Sequence, residues 1–379
     1  MTSPRSSVLA DTARAQRRVA PLMAAAIVSL LAGVWAGLAR IGWALPAADG
    51  DLMMRHGALM VVGFAGTVIA AERAVAIRSV PAFAAPAMSA LCGLSLVLGA
   101  PAAWPPALAA AAAVAYAVNM ATLLIRHRAL PAAIMLAGSC CLVVAAIAWW
   151  TAAGLPRVVP WWIAFLALTI GAERLELLRF QRVEGIARLS GVASIALVVL
   201  GPAVGLADAQ AGARLLGAGL VVAAVWLLLR DGARRTVRST GVTRFIAVGL
   251  LSAYAWLAVS GALLLAWGMP PAGFAYDAVL HAFFIGVVFG SIIAHEPIIA
   301  PSVGGFGFRY SALLYAPLAL LDAGLVLRIA ADMAASGEAR RWAGLLQSVA
   351  ILALLGVSAR SILLARLDAV REMREARGG

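Results

Sequence analysis

The chain has 379 residues, of which 64% are apolar and only 12% charged, and its mean hydropathy is +0.97. A soluble globular protein carries roughly a quarter charged residues, so this composition excludes a string of soluble domains, a disordered chain, a fibrous repeat and a disulfide-stapled secreted fold. The net charge is +13, and all 30 basic residues are arginine; they lie between apolar runs, a pattern of membrane topology and anionic lipid contact and not of nucleic-acid binding.

About 20 apolar residues cross the hydrocarbon layer as a helix. Twelve runs meet that length, near 20–45, 52–77, 81–102, 105–125, 129–152, 158–179, 186–206, 211–230, 243–267, 277–300, 308–331 and 341–366. Turn-forming or charged stretches separate them, among them Ala47-Ala48-Asp49-Gly50, Trp104-Pro105-Pro106, Arg126-His127-Arg128, Arg179 to Arg188, Asp231 to Arg238 and Gly268-Met269-Pro270-Pro271. The expected architecture is one all-α membrane domain of twelve transmembrane helices over 20–366, flanked by tails 1–19 and 367–379. The first tail shows no evident cleavage site and is expected to be a cytoplasmic tail and not a removed signal peptide. Cys92, Cys140 and Cys141 fall inside apolar runs without metal-type spacing and read as packing residues.

Arginine placement orients the bundle. Arg14, Arg17 and Arg18 precede span 1, Arg78 follows span 2, Arg126 and Arg128 follow span 4, and Arg179, Arg182 and Arg188 lie between spans 6 and 7. Arg230, Arg234, Arg235 and Arg238 lie between spans 8 and 9, Arg309 precedes span 11, and Arg371, Arg374 and Arg377 follow span 12. The opposite loops carry Asp49, Asp51, Asp208 and Asp277. The positive-inside rule then puts both termini in the cytoplasm of a bacterial inner membrane, with Arg340 and Arg341 as a minority against it.

Spans 2, 6 and 10 end alike: Ile-Ala-Ala-Glu72-Arg73, Ile-Gly-Ala-Glu173-Arg174 and Ile-Ile-Ala-His295-Glu296. Three such endings, four spans apart and running the same way, predict a threefold pseudo-repeat of four-helix units.

Four histidines exist. His127 sits in an arginine turn and reads as solvated. His56 and His281 each lie about one turn into a span running from outside to inside, so the two imidazoles share one depth near the outer face. An imidazole in a membrane helix is costly unless paired. Two at one depth could hold a haem iron from both sides as a low-spin centre, with small residues beside them and Arg55, or Arg40, to meet the propionates. The structural alternative is that each histidine only hydrogen-bonds a neighbouring helix.

The stretch Arg55-His56-Gly57-Ala58-Leu59-Met60-Val61-Val62-Gly63-Phe64 resembles the second helix of haem-copper oxidase subunit I, and also that of the NnrS-type membrane proteins. His281-Ala282-Phe283-Phe284-Ile285-Gly286 resembles the tenth helix of either group. Twelve spans with haem ligands on helices 2 and 10 fit both topologies. The resemblance implies a haem-copper-oxidase-like fold, haem b on His56 and His281, and a role with electrons or nitric oxide; NnrS-type proteins also carry copper. The chain departs from the oxidases in having no histidine on spans 6 and 7, so the resemblance implies no oxidase activity of the usual kind and assigns no catalytic residue. The implied partners are membrane lipid and a small gas or a quinone-type electron donor.

Glu72, Arg73, Glu173, Arg174, His295 and Glu296 form a second polar layer near the inner face. It reads either as a cap of ion pairs or as a proton or second metal site, with Pro297 opening the helix after it. His295 is a further metal-ligand candidate, but lies fourteen residues and so about 21 Å along the helix from His281. Asp322 is mid-helix and expected to pair with Arg328 or another span. Trp149, Trp150, Trp161 and Trp162 read as an interfacial belt. Two other readings stand beside the haem reading: a polytopic transporter, against which the spans lack paired broken helices, and a structural or assembly subunit of a respiratory complex.

Overall fold

The computed structural model describes residues 4–46, 50–151, 154–177 and 184–378. Asp49, Arg179 and Arg182, used above for orientation, lie outside the described residues. Every regular element among the described residues is helical. Among these residues, eleven helices are long and apolar enough to cross a membrane: α1 (Arg18–Arg40), α2 (Gly50–Ile77), α4 (Trp104–His127), α5 (Leu130–Trp150), α6 (Pro156–Leu177), α7 (Gly185–Val204), α8 (Ala209–Arg230), α9 (Gly241–Trp267), α10 (Gly273–Gly304), α11 (Ala312–Met333) and α12 (Gly337–Glu372). Between α2 and α4 runs a shorter apolar helix, α3 (Pro81–Val97).

Local chemistry explains where these helices stop. The run expected over 81–102 ends at Val97 because Gly99 takes a left-handed φ of 66° and Pro101 follows. α1 stops at Arg40 because Gly42 turns the chain at φ 98°. Towards the N-terminus the helix extends back to Pro4, so described residues expected in a tail are helical. α10 does not open at Pro297: its last segment, Gly290–Gly304, runs through both Pro297 and Pro301.

Consecutive helices pack against each other across short connections, as in other helix bundles. The contacts rest on small residues, because lipid tails compete for apolar surface and close approach must supply the attraction. A Cβ on Gly217 would come within 2.7 Å of the Gly261 carbonyl oxygen, and a Cβ on Gly261 within 2.7 Å of the Gly217 oxygen, so α8 and α9 touch backbone to backbone. Gly63, Gly93 and Ser29 make the same kind of junction between α2, α3 and α1.

The interior belongs to α2, α6 and α10. Their most apolar windows are 56%, 67% and 72% buried, while every other long span is 50% buried or less. The three helices that carry the repeated endings are therefore the three most enclosed. Two of them share an unusual feature: α2 changes from α-helical to π-helical at Leu59–Gly66, and α10 does so at Ala282–Phe289. Each π segment is eight residues long and follows a nine-residue α-helical segment.

Candidate functional site

The two π segments begin just after the histidines. A π turn holds about one residue more than an α turn, so it resets the phase of everything beyond it by about 100°. On an ideal α-helix His56 and Glu72 point about 160° apart. The π segment brings that to roughly 60°, and both side chains then reach the interior.

His56 and His281 meet across the space between α2 and α10. Their ring centroids are 6.3 Å apart and the ring planes differ by 23°. His56 Nδ1 lies 2.7 Å from the Gly33 carbonyl oxygen on α1. His281 Nδ1 lies 2.8 Å from the Asp277 carbonyl oxygen, one turn earlier on α10. A carbonyl only accepts, so both Nδ1 atoms donate and both Nε2 atoms carry the lone pair. No hydrogen bond occupies either Nε2 among the described residues. α1 fits closely against His56: a Cβ on Gly37 would sit 2.8 Å from its Cε1. Gly33 and Gly37 form a Gly-x-x-x-Gly pair, a spacing that signals close helix approach and was the one local sign of α1 at this site.

Both histidines line a cavity of about 320 Å³ whose walls include Gly57, Met60, Trp162 and Phe284. Its charged lining is three arginines, Arg40, Arg328 and Arg340, against one carboxylate, Asp277. Arg328 is bound in bidentate fashion by the Asp277 carboxylate, at 2.6 and 2.9 Å, and donates to Gln347 at 2.9 Å. Asp277 thus anchors His281 with its carbonyl and Arg328 with its carboxylate. The Arg340 guanidinium stacks 4.4 Å over Phe274, and that of Arg341 4.8 Å over Trp43. The two arginines that break the topological pattern are thus held at this end of the bundle by aromatic faces. Arg55 is elsewhere: its guanidinium pairs with Asp51 at 3.3 Å and donates to the Leu96 carbonyl at 3.0 Å, outside the cavity lining.

At the opposite end, the second polar layer divides into three groups. Arg73 pairs with Glu173 and, at 3.4 Å, with Glu72, tying α2 to α6. Arg174 turns the other way and is bound by both oxygens of Asp231, at 2.8 and 3.0 Å. Tyr254 donates to Asp231 at 3.1 Å. Arg174 also lies 3.3 Å from His295 Nε2, while His295 Nδ1 lies 2.9 Å from the Ser291 carbonyl. Arginine only donates, so this Nε2 is an occupied acceptor and His295 has no ring nitrogen left for a metal. Glu296 lies apart and faces Ser358 of α12. Among the described residues no group of three or more His, Cys, Asp or Glu side chains has metal-site geometry.

Three further placements differ from expectation. Asp322 accepts from Ser252 at 2.8 Å and Trp256 at 2.9 Å on α9, not from Arg328. Asp231, read above as part of a charged turn, is buried. Trp161 and Trp162 are only 7% and 2% exposed and belong to the core beside the histidine cavity, so the aromatic belt keeps Trp150 but not that pair.

No curated protein matches the chain. The sequence does match the family described as "Domain of unknown function (DUF8744)" over residues 18–363. That span takes in the bundle, both π segments and every residue of the two polar layers, and the chain belongs to this family.

Proposed function

We propose that this chain is a haem-binding, multi-pass membrane protein in which His56 and His281 would hold one haem b between them. The observation that carries the reading is the histidine pair. At a centroid separation of 6.3 Å and an interplanar angle of 23°, the two imidazoles are close enough for one iron to be held between them. Each Nδ1 is already bound to a carbonyl, the usual way a protein fixes the tautomer that offers Nε2 to a metal. The adjoining cavity has largely apolar walls and more arginines than carboxylates among its charged residues, matching a flat apolar macrocycle with anionic propionates. Arg40 and Arg340 suit the propionates, because Arg328 is neutralised by Asp277. Bound there, haem supplies one-electron chemistry.

On this reading α1 presses His56 into place through Gly33 and Gly37, and Asp277 holds His281. The role is electron handling or nitric oxide binding without oxidase activity. The setting is a bacterial inner membrane, with both termini cytoplasmic and the histidine pair near the outer face. The central burial of α2, α6 and α10, four spans apart, supports a threefold, haem-copper-oxidase-like arrangement of twelve helices.

The matched π segments favour one second reading, a transporter, because interrupted helices at corresponding positions mark carrier binding sites. The absorption spectrum of protein purified from haem-replete cells separates the two. The haem reading expects about one b-type haem per chain with a low-spin reduced spectrum. Colourless protein would leave the transporter.

A further inference from the structure

A second cavity, of about 630 Å³, lies among α5 to α10 and shares no lining residue with the histidine cavity. Its rim includes Leu130 on α5 and Val192 on α7, 62% and 54% exposed, so it opens on the lipid-facing side of the bundle. Its deep wall is formed by Val287 and Ser291 of α10. Nearly all of the lining is apolar. The space is open from the α6 side too, since a Cβ on Gly171 would meet nothing within 4 Å.

One polar atom on the deep wall is without a partner. Ser291 is 5% exposed and its hydroxyl makes no hydrogen bond. A buried hydroxyl without a partner is costly. The other polar side chains on the inner walls are engaged: Tyr254 donates to Asp231, and Trp226 Nε1 donates to the Ala187 carbonyl at 2.7 Å. They therefore present aromatic faces to the space.

These features define the occupant. A polar solute would not enter apolar walls. A lipid acyl chain would fill them but leave Ser291 unpaired, with its headgroup out at Arg188 on the rim. A molecule that is apolar along its length and carries an acceptor oxygen at its inner end satisfies both wall and hydroxyl. We infer that this cavity binds an isoprenoid quinone, with the ring held against α10, a ring carbonyl accepting from Ser291 Oγ, and the tail leaving past Leu130 and Val192 into the bilayer. Ser291 follows His281 by ten residues on the same helix, beyond the π segment. The inference does not depend on the haem reading.

The test uses the purified full-length protein titrated with decylubiquinone and with a short-chain naphthoquinone, followed by quenching of tryptophan fluorescence. Saturable binding of either is expected. Ser291→Ala should weaken it about tenfold through loss of one hydrogen bond. Gly171→Phe, which fills the cavity from open space, should abolish it. Both variants should keep wild-type helical circular dichroism and elution volume. His56→Ala should still bind, so a colourless protein that takes up quinone leaves this inference standing. Non-saturable partitioning, or binding unchanged in Gly171→Phe, would overturn it. So would a Ser291→Ala variant indistinguishable from wild type, which would mark the cavity as an acyl-chain site.

Discussion

Arg174 and Asp231 show how far single residues could be read without the fold. Arg174 was recognisable as a cation near a helix end, but its partner follows 57 positions later, at the end of α8. Asp231 stood beside four arginines in a stretch read as a charged turn; packing by Tyr254 and α6 makes it a buried anion. Breaking a buried pair strands the remaining charge, which costs about 3–5 kcal/mol. Asp231→Asn should therefore lower unfolding stability in detergent by an amount of that order, and the spectrum of the histidine site should remain. A change below about 0.5 kcal/mol would mean that Arg174 finds water or another carboxylate. His56 and His281 were easier to read, because two imidazoles at equal depth in apolar helices stand out against everything around them. Arg55 was assigned by nearness in sequence, yet at one residue from His56 it points to α3. Arg328 and Arg340 approach the cavity from α11 and α12, and no local pattern announces that.

At the scale of elements, apolar run length located the helices well, because the cost of exposing backbone in lipid depends on local composition. It did not reveal the π segments: an i→i+5 hydrogen-bond pattern has no signature in Leu59–Gly66 or Ala282–Phe289. Their presence was needed all the same, since an ideal helix sets His56 and Glu72 on opposed faces. A π segment is equivalent to one inserted residue. Deleting Val62 should let α2 close up as an α-helix, with His56 and Glu72 still about 60° apart, so that the haem spectrum is retained. Deleting Ala70 from the α-helical segment Thr67–Ile77 should rotate the two layers by about 100° and lose either the spectrum or the stability. Equal effects of the two deletions would show that the π geometry does not set the phase. Trp161 and Trp162 failed for a related reason. Aromatic residues near a helix start look the same whether they face head groups or a neighbouring helix, and only the central position of α6 decides.

For the molecule as a whole, the arginine pattern makes a claim about sidedness. Arg340 and Arg341 run against it, but both are held by ring faces at the histidine end. With Cys140 replaced by serine, a cysteine at Gly273 should react with a membrane-impermeant maleimide in intact cells, and one at Ser239 should react only after lysis. The reverse result would invert the bundle and put the histidine pair on the cytoplasmic side. The most enclosed helices are α2, α6 and α10, and residues of all three line the histidine cavity.

The central claim is that two particular histidines hold one haem, and the chain offers a complete test because it has only four. Reduced absorption spectra of His56→Ala, His127→Ala, His281→Ala and His295→Ala, purified alongside the wild type, are the measurement. The account predicts that His56→Ala and His281→Ala each lose the low-spin b-type spectrum, while His127→Ala and His295→Ala keep it. A normal spectrum in His56→Ala or His281→Ala, or its loss in His127→Ala, would contradict the assignment.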